Sequence, residues 1–274
     1  MTPSRRIALL GAGNMGRALL GGLLRAGASA KALSVGEADA SARSQLAREL
    51  GIEASADNAA AAAGAELLIL AVKPDQAAAV LVPLTRTLGA ARPVLLSVLA
   101  GVRVAQLSAW CGAALPVVRA MPNRPALWNA GITGLYAPPA VGAPQRALAE
   151  EAMRAVGDTL WVESEPALDA VTALSGSGPA YLFLLAECMA AAGAQLGLAP
   201  DAAQQLARAT LYGAGVMAHA PGADLAQLRA QVTSVGGTTA AALAVLEAAD
   251  LRGILARALA AAAARSRELA GRED

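Results

Sequence analysis

Through residue 164, short apolar runs alternate with longer stretches of helical character. Ile7-Ala8-Leu9-Leu10, Leu33-Ser34-Val35, residues 66–72, residues 94–99 and Val117-Val118 each have the length of a strand, and each pair is separated by helical sequence. That rhythm predicts βαβ units joined in a parallel sheet. Leu67-Leu68-Ile69-Leu70-Ala71-Val72 is almost wholly apolar, as a strand covered on both faces must be, and belongs in the sheet centre. Runs at 132–136 and 159–162, with a helix over 144–156 between them, extend the same sheet. After Glu163-Ser164-Glu165-Pro166 everything reads as helix punctuated by Gly and Pro. The expected organisation is an α/β domain over 1–164 followed by an all-α domain over 165–274.

The helices of the second half are apolar around most of their circumference, for example over 181–198 and 240–246. A helix apolar all round must be buried, and a domain of this size cannot hide so much surface alone, so two chains are expected to pack their helical domains together. Composition sharpens the picture: 56% of the residues are hydrophobic but only 3% are aromatic, so Ala, Leu and Val must pack closely. A mean hydropathy of +0.47 raises the question of a membrane. Spanning one needs about 18 consecutive apolar residues, and the longest runs are cut by Glu187, Arg208 and Arg257. The start lacks an apolar h-region and a cleavage site, so no signal peptide and a cytoplasmic location are expected. Net charge is +1 with arginines scattered among acids, which argues against nucleic acid or a membrane surface as partner. Cys111 and Cys188 stand far apart, His219 is the sole histidine, and no metal-ligand spacing is present, so no metal site is expected and both thiols read as structural fillers.

Gly11-Ala12-Gly13-Asn14-Met15-Gly16 follows the first strand and opens a helix, the context in which a G-x-G-x-x-G pattern signals a Rossmann-type dinucleotide site. Gly11 permits the tight turn, Gly13 lets backbone approach a pyrophosphate, and Gly16 brings helix close to sheet. The helix N-terminus offers unpaired amides and partial positive charge to the phosphates. A bare glycine turn without a ligand is the competing reading, and the flanking strand and helix weigh against it. Gly36-Glu37 closes the second strand about twenty residues on, where an acid holds a ribose 2′-hydroxyl and repels a 2′-phosphate, which argues for NADH. The alternative is that Glu37 faces solvent and Arg43 pairs with a 2′-phosphate, so NADH and NADPH both stay open. Ala71-Val72-Lys73-Pro74 sets a rigid turn and a cation at the carboxyl edge of the sheet; the Lys73 side chain either contacts the cofactor or is a solvated surface charge.

Thr233-Ser234-Val235-Gly236-Gly237-Thr238-Thr239 precedes an apolar helix and combines two glycines, four hydroxyls and a helix start, which together make an anion nest. Amides of Gly237, Thr238 and Thr239 can converge on one carboxylate, with Ser234 adding a hydroxyl. A simple N-cap is the plainer account, yet one hydroxyl would suffice for that. The helical half holds no His, Cys or Lys constellation of the kind a catalytic dyad needs. A ketone needs its oxygen polarised before hydride arrives, whereas a protonated imine is already an electrophile and needs chiefly position. Thr239 is the candidate catalytic residue, hydrogen-bonding the ring nitrogen of a cyclic imine carboxylate.

Taken together, residues 11–16, Ala71-Val72-Lys73-Pro74, Val118-Arg119-Ala120-Met121-Pro122-Asn123, Ala173-Leu174-Ser175-Gly176-Ser177-Gly178-Pro179-Ala180-Tyr181 and residues 233–239 resemble the pyrroline-5-carboxylate reductase family, collinearly over nearly the whole chain. The resemblance implies an N-terminal Rossmann domain, a helical C-terminal dimerisation domain, NADPH or NADH as donor, proline as product, and dimers that join into rings. It also implies that Asn58 sits near the adenosine ribose, that Met121 and Asn123 lie by the nicotinamide, and that residues 234–239 bind substrate. Three positions depart from the family pattern: Arg124 for Thr, Val235 for Pro, and Ala230 for Asp. Two other classes compete. A related two-domain hydroxy-acid dehydrogenase would present a lysine on the first long helix of the second domain, and none is there; a non-catalytic dinucleotide-binding oligomer would bind cofactor without turnover.

Overall fold

The computed structural model describes residues 5–112 and 115–270. Eight strands form one sheet: β1 (Ile7–Leu10), β2 (Leu33–Gly36), β3 (Ala54–Ser55), β4 (Leu67–Leu70), β5 (Val94–Ser97), β6 (Val117–Met121), β7 (Gly131–Tyr136) and β8 (Gly157–Trp161). Their spatial order is β3-β2-β1-β4-β5-β6-β7-β8. All neighbours are parallel except β6 and β7. The chain order reverses between β1 and β4, which creates the crevice at the carboxyl ends where doubly wound folds take ligands.

Both faces of this sheet are covered by helices, and the strand period of two sorts the apolar residues between them. Ile7 and Leu9 face one layer, where Leu19, Leu20 and Leu23 of α1 (Asn14–Arg25) meet Leu46 of α2 (Ala40–Leu50). Ala8 and Leu10 face the other, with Ala61 and Ala62 of α3 (Asn58–Ala62), Leu81 of α4 (Ala77–Leu81), Leu88 of α5 (Thr85–Ala91) and Leu107 of α6 (Val104–Cys111). Every residue of β1 and β4 is buried, as expected for the sheet centre. Cys111 is packed in the second layer, and burial pushes its thiol up to about 11. Beyond β7, α7 (Ala143–Arg154) returns the chain to β8, and α8 (Ala167–Val171) follows and runs into a π turn at Thr172–Gly176.

By internal contacts the residues up to Gly176, together with those from Ala262 onward, make one compact unit, and Ser177–Ala261 makes a second. The second holds α9 (Gly178–Gln195), α10 (Pro200–Ala218), α11 (Leu225–Gln231), α12 (Thr238–Ala248) and the first part of α13 (Leu251–Ala270). The two apolar helices α9 and α12 contain no buried residue, and Phe183 and Val245 are 62% and 69% exposed. The burial expected from their composition is therefore absent within one chain. Cys188, read from sequence as a core filler, is exposed on α9. The stretch Ala167–Gln195 meets the length and mean hydropathy of a membrane span by composition alone, with Glu187 interrupting its apolar run. An unpartnered apolar surface of this kind marks an interface.

Within the first unit the end of α13 is fastened by a buried polar group. Asp169 is 3% exposed; it accepts 2.8 Å hydrogen bonds from Arg103 Nη2 and from Ser266 Oγ. Nearby, Glu165 accepts from Arg119 Nη1 at 2.9 Å and from the Val104 amide at 2.7 Å. Burial pulls the Arg119 guanidinium below its ordinary value, while the Glu165 hydrogen bond opposes the shift. Removing one member of such a pair leaves a charge poorly compensated, so Asp169→Ala is expected to lower unfolding free energy by about 3 kcal/mol, read from the urea midpoint and slope. A loss below about 1 kcal/mol would show that the pair contributes little.

Candidate functional site

The turn after β1 is shaped by contacts that exclude side chains. Gly11 has φ +92°, and a Cβ there would lie 2.7 Å from the Val72 nitrogen and 2.8 Å from Ala71 backbone atoms. Its amide donates to the Gly36 carbonyl at 2.9 Å, and the Ala71 amide donates to the Leu10 carbonyl at 2.8 Å. The glycine loop, the end of β2 and the 71–74 turn are thus tied together by backbone. A Cβ on Gly16 would collide with the Gly11 carbonyl oxygen, which is how this glycine lets α1 approach the turn. Gly13 has open space around its α-carbon and serves as N-cap of α1 with no side-chain cap, so the amides of the first turn point outward unshielded. A dinucleotide pyrophosphate fits these features.

Glu37 does not face solvent freely. Its Oε2 accepts from the Ala12 amide at 2.7 Å and its Oε1 from the Asp39 amide at 2.9 Å. Arg43 donates through Nη1 to the Glu37 and Ala38 carbonyls at 2.8 and 2.7 Å. Asn58, the first residue of α3, lies with its side-chain oxygen against the Gly36 α-carbon, so Gly36, Glu37 and Asn58 share one corner. Lys73 is exposed, and no hydrogen bond or ion pair holds its side chain among the described residues.

Met121 ends β6 and packs with its methyl group near Gly176. Asn123 is 8% exposed and both ends of its amide are engaged: Oδ1 accepts from the Ile132 amide at 3.0 Å and Nδ2 donates to the Ser175 carbonyl at 3.2 Å. It is a clamp that sets the loop in place. That loop and the glycine loop meet at a cleft of about 220 Å³ lined by Asn14, Met15, Pro122, Asn123, Arg124, Leu127 and Gly176. Arg124, the departure noted in the sequence, therefore stands on the wall of this cleft.

In the second unit, Gly236 has φ +71° and turns the chain into α12, whose N-cap is Gly237. No side chain caps this helix. Thr233 Oγ1 donates instead to the Arg229 carbonyl at 2.6 Å, and Ser234 Oγ lies against Gly237. The capping account is thereby removed for these hydroxyls. The Gly237 amide closes the turn on the Ser234 carbonyl at 3.1 Å, and the first helical bond runs from the Ala241 amide to the Gly237 carbonyl at 3.2 Å. The amides left without a backbone partner are those of Thr238, Thr239 and Ala240, with Gly237 shaping the turn rather than offering its own N–H. Among the described residues no group of three or more His, Cys, Asp or Glu is placed to hold a metal ion.

A family model described as pyrroline-5-carboxylate reductase dimerisation matches residues 165–269, and one described as NADP oxidoreductase, coenzyme F420-dependent, matches residues 6–101. The dimerisation match covers the helices whose apolar faces lack cover in one chain. A pyrroline-5-carboxylate reductase of Pseudomonas aeruginosa is 43% identical over 97% of this chain and 97% of its own length. The structure of a pyrroline-5-carboxylate reductase from Coxiella burnetii superposes with a TM-score of 0.94 at 39% identity, covering 98% of this chain and all (100%) of that one. A pyrroline carboxylate reductase of Plasmodium falciparum with NADP bound gives a TM-score of 0.84 at 25% identity over 99% of this chain and 100% of its own. Relatedness running from one end of the chain to the other, at 43% identity to one such enzyme, places this chain in the pyrroline-5-carboxylate reductase family.

Proposed function

We propose that the chain catalyses NAD(P)H-dependent reduction of 1-pyrroline-5-carboxylate to proline. The observation that carries this reading is the match to pyrroline-5-carboxylate reductases over 97% of the chain, which takes in both the glycine loop and the 233–239 nest. Residues 1–164 hold the dinucleotide, and residues 165–274 pair the copies and bind substrate.

Dinucleotide binding falls to the loop of residues 11–16, to Gly36, Glu37 and Asn58 at the adenosine end, to the backbone of 71–74 with Lys73 beside it, and to Met121 and Asn123 at the nicotinamide end. When bound, the reduced nicotinamide supplies a hydrogen with two electrons. The amides of Thr238 and Thr239 and the Ser234 hydroxyl take the substrate carboxylate, and Gly237 fixes the turn that presents them. Anchoring the carboxylate fixes the ring, and orientation of this kind is worth several orders of magnitude in rate. Thr239 Oγ1 hydrogen-bonds the ring nitrogen. In the protonated imine the carbon of the C=N bond gains the new C–H bond, the π pair returns to nitrogen, and the nitrogen keeps its proton as the product amine.

The working form is a homodimer, and the resemblance to the family extends this to a ring of dimers. The uncovered faces of α9 and α12 support pairing. A net charge of +1, with no basic stripe, weighs against nucleic acid or an anionic lipid surface as partner.

Incubating the purified chain with pyrroline-5-carboxylate and either reduced coenzyme is expected to consume coenzyme and form proline one for one. Coenzyme binding without turnover would sink the reading. Thr239→Val should lower turnover by about tenfold or more while coenzyme affinity holds, and unchanged turnover would remove Thr239 from the mechanism. Phe183→Glu on α9 should shift the chain to a smaller species in light scattering; an unchanged mass would put the interface elsewhere.

A further inference from the structure

We propose that this chain selects the coenzyme with a free adenosine 2′-hydroxyl, NADH over NADPH, and that the selecting group is the Glu37 carboxylate. The inference rests on the reductase reading above and goes beyond it by choosing between two coenzymes that the reading leaves equal.

Glu37 follows the last residue of β2, and its amide donates to the Ser55 carbonyl of β3 at 2.9 Å, so its backbone is set by the sheet. Its carboxylate is then fixed from both sides, by the Ala12 amide at 2.7 Å and the Asp39 amide at 2.9 Å. The first of these belongs to the glycine loop itself, so the acid stands at the corner where the adenosine ribose of a Rossmann ligand lies. A carboxylate only accepts hydrogen bonds, and each of its oxygens retains a further lone pair after the contact described. A ribose hydroxyl can donate into that position. A 2′-phosphate has no donor to offer in its ionised form and brings like charge against a fixed negative group.

The surrounding charges reinforce this. Asp39 adds a second carboxylate in the same turn, capping α2 through the Ala42 amide at 2.7 Å. Arg43 is the first cation on the helix that follows the turn, and its Nη1 donates to the Glu37 and Ala38 carbonyls. It braces the acidic turn; to meet a phosphate it would have to leave both carbonyls and outweigh Glu37. The same corner is bounded by Asn58 against Gly36, a neutral contact that brings no cation. The NADP in the description of the family model over residues 6–101, and the NADP held by the Plasmodium reductase, belong to those proteins; the acidic turn at Glu37 sets the choice in this one.

The test is fluorescence titration of the intact chain with NADH and with NADPH, paired with turnover of pyrroline-5-carboxylate. NADH is expected to bind at least about tenfold more tightly, the discrimination one unscreened like-charge contact gives. Glu37→Gln keeps an acceptor for the Ala12 amide and removes the charge, so it should move the ratio of dissociation constants toward NADPH by about tenfold. A wild-type chain that binds NADPH as tightly as NADH overturns the proposal, as does a ratio that stays put in E37Q. Failure to reduce the imine despite selective NADH binding overturns the reductase reading alone, equal binding by an active reductase overturns the role of Glu37 alone, and binding of neither coenzyme overturns both.

Discussion

A backbone approach that admits no side chain governs the first unit. The Gly11 α-carbon lies so near the Ala71-Val72 peptide that a Cβ would sit 2.7 Å from the Val72 nitrogen. Around that contact the glycine loop, the end of β2 and the 71–74 turn are held by main-chain bonds, so the shape of the dinucleotide corner does not depend on side-chain rotamers. Side chains then add what backbone cannot: Glu37 a fixed negative charge at one end, and Asn123 a bridge between the Ile132 amide and the Ser175 carbonyl at the other.

The second unit follows a different economy. Its helices are built from Ala and Leu with so little internal burial that only Ala203 and Ala207 of α10 are buried among the described residues of α9, α10 and α12. Apolar area left in water forgoes roughly 25 cal/mol per Å² of stabilisation, so the folded state of these helices gains most of its hydrophobic term by association. Stability and oligomerisation are then one equilibrium, and both depend on protein concentration. The match of residues 165–269 to a dimerisation family gives that surface its purpose.

What the sequence made legible follows from the range of the interactions involved. Strands β1, β4 and β5 declare themselves because burial on both faces demands continuous apolar residues, and the glycine loop because its φ angles and close contacts admit little else. β3, only two residues long, leaves no periodic signal, and nothing local distinguishes the antiparallel pairing of β6 with β7. Asp169 and Ser266 are 97 positions apart and meet only once the chain has folded, so their bond could not be read from pattern. At the end of β2 the sequence supplied Glu37 and Arg43 as rivals for the ribose; their hydrogen bonds to the Ala12 amide and to two carbonyls are tertiary contacts that no pattern shows. On the nest, spacing identified the hydroxyls and the turn, but which amide the turn consumes needed the coordinates.

The return of the chain from Ala262 to the first unit means that the helical unit is inserted within the first rather than appended to it. During synthesis the sheet can assemble early, yet Asp169 must wait for Ser266, which is made 97 residues later, before its hydrogen bonds are complete. The N-terminal unit is therefore completed only after the helical unit has been made, and a ribosome that stops short of residue 266 releases a chain whose sheet is made but whose buried acid is held by Arg103 alone.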